Sequence, residues 1–147
     1  MNISVVIPTY NRKLILEKCL FALENQLLND RISSYEIIVI DDGSTDGTRN
    51  WIAENKEKLP HVVIYEQSHG GPASARNLGV LKSKNEIIIF IDSDLVVLNN
   101  FLINHVDKLL NYWEKFNKNC FTYGSVINTS NFENPEKENH KITDISF

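Results

Sequence analysis

A doubly wound α/β fold, with a mostly parallel sheet of about five strands and helices on both faces, is predicted by three features of the sequence. Short, near-continuous apolar runs recur at Ile3 to Pro8, Tyr35 to Ile40, Val62 to Tyr65 and Ile87 to Ile91. Apolar residues at nearly every position suit strands covered on both faces. Segments of helical period separate the runs, the alternation that builds a parallel sheet. Finally, polar turn-formers follow each run, and in such sheets ligands bind beyond the carboxyl ends of the strands.

The first run, "ISVVIP", gives way from Leu14 to a helical stripe of Leu16, Cys19, Leu20, Leu23 and Leu27. A polar stretch, Asn29 to Ser34, leads to "YEIIVIDD", a second strand ending in two acids. Asp46 is placed to cap the next helix, whose apolar positions include Trp51, Ile52 and Leu59, and Pro60 closes that segment. "HVVIYEQ" reads as the third strand. In "GGPASARNLGVLKS" two glycines precede a helix with Pro72 in its first turn. "EIIIFIDSD" is the fourth and most apolar strand. Leu102, Val106, Leu109, Leu110 and Trp113 then share one face of a long helix, and "CFTYGSVI" predicts a fifth strand. The domain is expected over residues 1–127. Residues 128–147, rich in Asn, Glu and Lys, read as a polar tail that is flexible or docks elsewhere.

At 147 residues the chain has room for one domain with a real core. Its net charge of -4 argues against a nucleic-acid partner, which calls for a basic stripe. The longest apolar runs are too short to cross a bilayer, and no leader pattern precedes the first strand. The two cysteines, Cys19 and Cys120, form no CxxC or Cys/His cluster, so neither a disulfide nor zinc is expected, and a reducing, cytoplasmic location is.

The chemistry gathers at four strand ends. Asp92 and Asp94 flank Ser93 and, on extended backbone, would project to the same side. About 5 Å apart at an effective dielectric near 20, two carboxylates repel by roughly 3 kcal/mol. Solvent, a shared proton or a hard cation such as Mg2+ or Mn2+ would offset that, and a solvated pair of turn acids is the plain alternative. Asp41-Asp42-Gly43-Ser44 is either a strand-turn-helix junction or an acceptor for a base N–H or ribose hydroxyl. Tyr10, past Pro8 and Thr9, is core filler or a stacking face for a base. Gly70 and Gly71 offer backbone N–H groups to an anion. Arg76 is a surface charge or a phosphate contact, while Gly79 allows close helix–sheet packing. His61, His105 and His140 have no ligand-spaced neighbours and read as structural or exposed.

Taken in order, "VVIPTYNR", "IIVIDDGSTDGT", "GGPASARNLG" and "IIFIDSD" resemble the N-terminal portion of family-2 glycosyltransferases of GT-A fold, over about residues 1–126. The resemblance implies a donor domain for a nucleotide-diphospho-sugar, with a UDP-sugar expected. Pro8, Thr9 and Tyr10 would line the base pocket, Tyr10 stacking and Asp42 bonding the uracil edge. Arg76 and Asn77 match the "ARN" element at the nucleotide site. Asp92, Ser93 and Asp94 would serve the ribose and metal end, with Asp94, ahead of Asp92, as the direct ligand of Mn2+ or Mg2+. The position of the acid pairs and the absence of GxGxxG after the first strand exclude receiver, dehalogenase-like and nicotinamide-binding readings.

The resemblance also implies an inverting hexosyl transfer, in which an acidic general base deprotonates the acceptor. That base lies well beyond the DxD, and only Glu133 and Asp144, in no recognisable motif, offer themselves. The chain is therefore read as lacking the acceptor half, and a nucleotide-sugar-binding module without transferase activity is the alternative. The acceptor (glycan, lipid-linked or other) is not specified. Peripheral association with the inner face of a membrane and a homo-oligomer are further expectations, the latter because a missing half would expose apolar surface.

Overall fold

The computed structural model describes residues 1–126 as four parallel strands and four α-helices. In chain order these are β1 (Asn2–Thr9), α1 (Lys13–Glu24), β2 (Ser34–Asp41), α2 (Thr48–Glu54), β3 (Val62–Glu66), α3 (Gly71–Lys82), β4 (Ile87–Phe90) and α4 (Phe101–Phe116), with one 3-10 turn at Lys56–Lys58. The sheet order is β3-β2-β1-β4, so the chain steps outward through β2 and β3 and then crosses back to the other side of β1. That reversal opens a crevice at the carboxyl ends of β1 and β4, where α/β sheets take their ligands.

The unbroken apolar runs are explained by unequal layers on the two faces. Ile3, Val5 and Ile7 of β1, with Ile37 and Val39 of β2, pack on Leu16, Cys19, Leu20 and Leu23 of α1 and on Ile52, Leu102 and Val106. Each fully buried leucine there contributes about 1.5–3 kcal/mol relative to exposure. The opposite face is thinner: Val6, Ile38 and Ile40 meet α3 through Ala75. Gly79 lets α3 approach closely, since a Cβ there would overlap Val6 Cγ1. The glycine is a packing residue, as its helical position suggested.

Several sequence expectations are corrected. The apolar stripe of α1 stops at Glu24, so Leu27 lies beyond the helix and is exposed. Asp46 does not occupy the N-cap of α2, which is Gly47 in the left-handed region, yet its carboxylate accepts bonds from the Thr48 N–H and hydroxyl. On α4 only Leu102 and Val106 are fully buried, while Trp113 is half exposed. β4 has four residues and exposes Phe90, so it is not the fully covered strand its composition suggests.

The sheet has four strands among the described residues, not five. Residues 120–126 carry no strand, and residue 127 lies outside those described. Odd and even residues from Glu86 to Ile91 line a cavity of about 710 Å3 with residues 120–126 on its other side. The segment thus stands off the β4 edge. Its apolar residues Phe121, Tyr123 and Val126 are exposed, while Cys120 and Thr122 are half buried and bonded to α4, so the segment's contacts run to the helix and do not fix a register on β4. The expected tail and domain boundary fall outside the described residues, as do Glu133 and Asp144.

Candidate functional site

The loops after β1 and β2 are stapled together by short polar side chains. The Asn11 N–H donates to Ser44 Oγ at 2.9 Å, and Asn11 Oδ1 accepts the Thr45 N–H at 2.8 Å. Asp46 Oδ2 accepts the Lys13 N–H at 2.8 Å. Asn11 adopts a positive φ of 51°, a conformation Asn tolerates better than most residues. This geometry aims Tyr10 and Arg12 at the crevice.

The crevice is a cavity of about 380 Å3 lined by residues that include Pro8 and Thr9 at the end of β1, Tyr10 just after it, Asp42, and Asp92, Ser93 and Asp94 after β4. Arg12, His69, Pro72 and Arg76 complete its wall. Its size falls in the range of ligand clefts. The larger cavity beside β4 lies away from these groups and has mostly apolar walls. The described sequence candidates therefore converge on one cavity, with one exception: Asn77, next to Arg76 on α3, is exposed and does not line it.

Asp42 is the buried anchor. Its side chain is 4% exposed, and both oxygens are in use. Oδ1 accepts from Gln67 Nε2 at 2.6 Å and from the Gly70 N–H at 2.8 Å; Oδ2 accepts from the Gly71 N–H at 2.8 Å and lies 2.9 Å from His69 Nδ1. Burial raises the carboxyl's pKa, but the Gly70 amide, the Gln67 side chain, the Gly71 amide and His69 outweigh it. The result lies below the ordinary 3.8. The amides that the sequence offered to an anion thus hold an internal one. Asp41, fully buried, accepts the Ser44 N–H through Oδ1 and pairs with Arg49 through Oδ2.

Asp92 and Asp94 are arranged differently. They lie beyond β4 in a turn closed by the Leu95 N–H on Asp92 O, at 3.2 Å, not on the extended backbone expected. Their side chains are 57% and 42% exposed. Arg76 Nη2 donates to Asp92 Oδ1 at 2.5 Å, and Arg12 Nη1 to Asp94 Oδ2 at 2.6 Å. Beneath the turn, burial, then the charges of Asp94 and Asp92, push the Cys19 thiol up to about 12, so it stays neutral.

Two oxygen-donor side chains, half exposed and, among the described residues, tethered only by flexible arginines, suit an ion that keeps waters and takes phosphate oxygens, as Mg2+ and Mn2+ do. Among the described residues no group of three or more His, Cys, Asp or Glu forms a complete protein cage. The buried Thr9 Oγ1, on the cavity wall, has no hydrogen-bond partner among them. The side chains of Arg12, His69 and Pro72 are wall groups to which the sequence assigned no role, His69 and Pro72 reading only as part of the turn that opens α3. The charge count held a signal for Arg12, since paired acids on one rim call for a nearby cation.

A family model for glycosyl transferase family 2 matches residues 4–143, so the chain belongs to that family. It is 41% identical over 96 residues to a poly(ribitol-phosphate) beta-glucosyltransferase of Bacillus spizizenii, covering 64% of this chain and 15% of that protein. Among solved structures it resembles S. aureus TarS 1-349 in complex with UDP-GlcNAc, at a TM-score of 0.66 and 27% identity over 78% of this chain and 32% of that one. It also resembles the mannosyltransferase PcManGT of Pyrobaculum calidifontis in complex with GDP-Man and Mn2+, at a TM-score of 0.61 and 31% identity over 73% and 32% of the respective chains. The chain thus spans a third or less of the length of these relatives. The fold is of GT-A type.

Proposed function

We propose that this family-2 glycosyltransferase chain is a donor domain that binds a nucleotide-diphospho-sugar, a UDP-sugar in the first instance, with Mn2+ or Mg2+ for inverting hexosyl transfer. One observation carries the reading. Two displaceable ion pairs, Arg12–Asp94 and Arg76–Asp92, share a cavity with an aromatic face at Tyr10 and a Thr9 hydroxyl that has no partner among the described residues.

In this reading Tyr10 stacks on the base while Pro8 and Thr9 line its pocket, a stack worth on the order of 1–3 kcal/mol. Asp42 accepts the base N–H. Arg12 and Arg76 turn from the acids toward the diphosphate, and Asp92 and Asp94 become free to hold a cation, Asp94 directly. When bound, that cation would neutralise charge on the leaving diphosphate. Three carboxylates against two guanidiniums leave the wall net negative, which favours a cation arriving with the nucleotide. Asn77 has at most an indirect role, since it stands outside the cavity. No wall carboxylate is assigned to deprotonating the acceptor, and Glu133 and Asp144 lie outside the described residues.

Titration with UDP and with GDP, on the parent chain and on Tyr10→Ala, tests the donor assignment. Preferential UDP binding that falls about 5- to 100-fold in Tyr10→Ala supports it; failure to bind either nucleotide overturns it. A second reading is a nucleotide-sugar-binding module that catalyses no transfer; sugar transfer by the 147-residue chain would rule it out.

Among the described residues no helix is long and apolar enough to cross a membrane. Localisation in the cytoplasm, in contact with the inner face of a membrane, stays a proposal, as do a glycan or lipid-linked acceptor and homo-oligomerisation.

A further inference from the structure

His69 stands at the end of β3 and makes two contacts at once. Its ring lies on Tyr10, with centroids 4.2 Å apart and planes tilted by 32°. Its Nδ1 sits 2.9 Å from Asp42 Oδ2 and 3.2 Å from the Asp42 carbonyl oxygen. Both neighbours are acceptors, so Nδ1 carries the proton and donates. A flat ring on Tyr10 that offers an N–H to Asp42 is what the proposed function asks of the nucleobase.

A carboxylate has about four acceptor positions, and those of Asp42 are taken by Gln67, Gly70, Gly71 and His69. Two of the four donors are backbone amides fixed at the start of α3, and Gln67 is tied to Ser74 as well as Asp42. His69 is the one that can leave at little cost: its side chain is 59% exposed. No other side-chain bond holds it among the described residues.

We infer that His69 competes for the base seat, since it covers Tyr10 and donates to Asp42, and must swing out before a nucleotide base can make the same two contacts. The inference rests on the proposed base site and extends it: His69 sets nucleotide affinity by competing with the incoming base. It keeps Asp42 satisfied and covers Tyr10 until that exchange. A group lost from this position frees both contacts.

Uridine is the probe, because it lacks the phosphates that would engage Arg12, Arg76 or a cation. Titrations followed by NMR on the 147-residue parent, His69→Ala and Tyr10→Ala separate the outcomes. His69→Ala is expected to bind uridine about 2- to 10-fold more tightly, the factor for relieving one modest hydrogen bond. In the parent, the His69 Cε1–H signal is expected to move downfield on saturation as the ring leaves the face of Tyr10. Equal or weaker binding by His69→Ala, or a His69 signal that does not move, while Tyr10→Ala still weakens binding, overturns the inference and leaves the base site intact. Unchanged affinity in Tyr10→Ala removes the base site itself, and the role of His69 with it.

Discussion

At the end of β2, Asp41 and Asp42 are buried, and backbone amides of Ser44, Gly70 and Gly71 donate to them. At the exit of β4, Asp92 and Asp94 stand half exposed, their carboxylates tethered to the side chains of Arg76 and Arg12. The two acid turns border one crevice but differ in what their partners can do. Fixed amides hold a charge permanently and shape the loop around it. A guanidinium on a flexible stem releases its carboxylate when a stronger ion arrives. The buried pair is thus anchored by amides even where Arg49 and His69 add side-chain partners, whereas the exposed pair has only side-chain partners among the described residues.

The comparison breaks most readily at Asp42. Asp42→Ala would strand the Gly70 and Gly71 amides, and a loss of about 2–4 kcal/mol in urea unfolding is expected. A pH series sharpens the point. Because the folded pKa of Asp42 is depressed, its stabilisation is fully present above the unfolded value of 3.8. It is lost as pH falls further, through the folded value. Urea midpoints of the parent should therefore drop more steeply below that pH than those of Asp42→Asn.

Gly79→Ala probes the layer beneath, where a Cβ would meet Val6 Cγ1. A cost of about 1–3 kcal/mol is expected, with partial recovery when Val6→Ala makes room. The smallest effect belongs to the exposed pair. Asp92→Asn and Asp94→Asn remove partly solvated ion pairs worth at most about 1 kcal/mol, so their urea midpoints should stay close to the parent's. A large loss in either would mean that this turn, too, is structural.

Much of this was legible in the sequence because strands and motif order are local signals. The four strand ends were placed by apolar runs alone, and Gly79 was identified by its helical position. What escaped reading depends on tertiary neighbours. Nothing in "VVIPTYNR" says that Arg12 will meet Asp94, 82 positions away, or that His69 will lie on Tyr10. The Gly70–Gly71 turn reads as an anion site, but which anion fills it depends on Asp42 reaching across from β2. The fifth strand was not found among the described residues for the opposite reason: the local pattern of residues 120–126 is strand-like, but its half-buried Cys120 and Thr122 bond α4 and not the β4 edge.

The most direct test of the exchangeable turn is calorimetric titration of UDP with and without Mn2+, on the parent and on Asp94→Ala. The account expects Mn2+ to tighten UDP binding at least 10-fold in the parent, about 1.4 kcal/mol of coupling, and to have little effect in Asp94→Ala. UDP affinity indifferent to Mn2+, or an equal gain in both proteins, would contradict it.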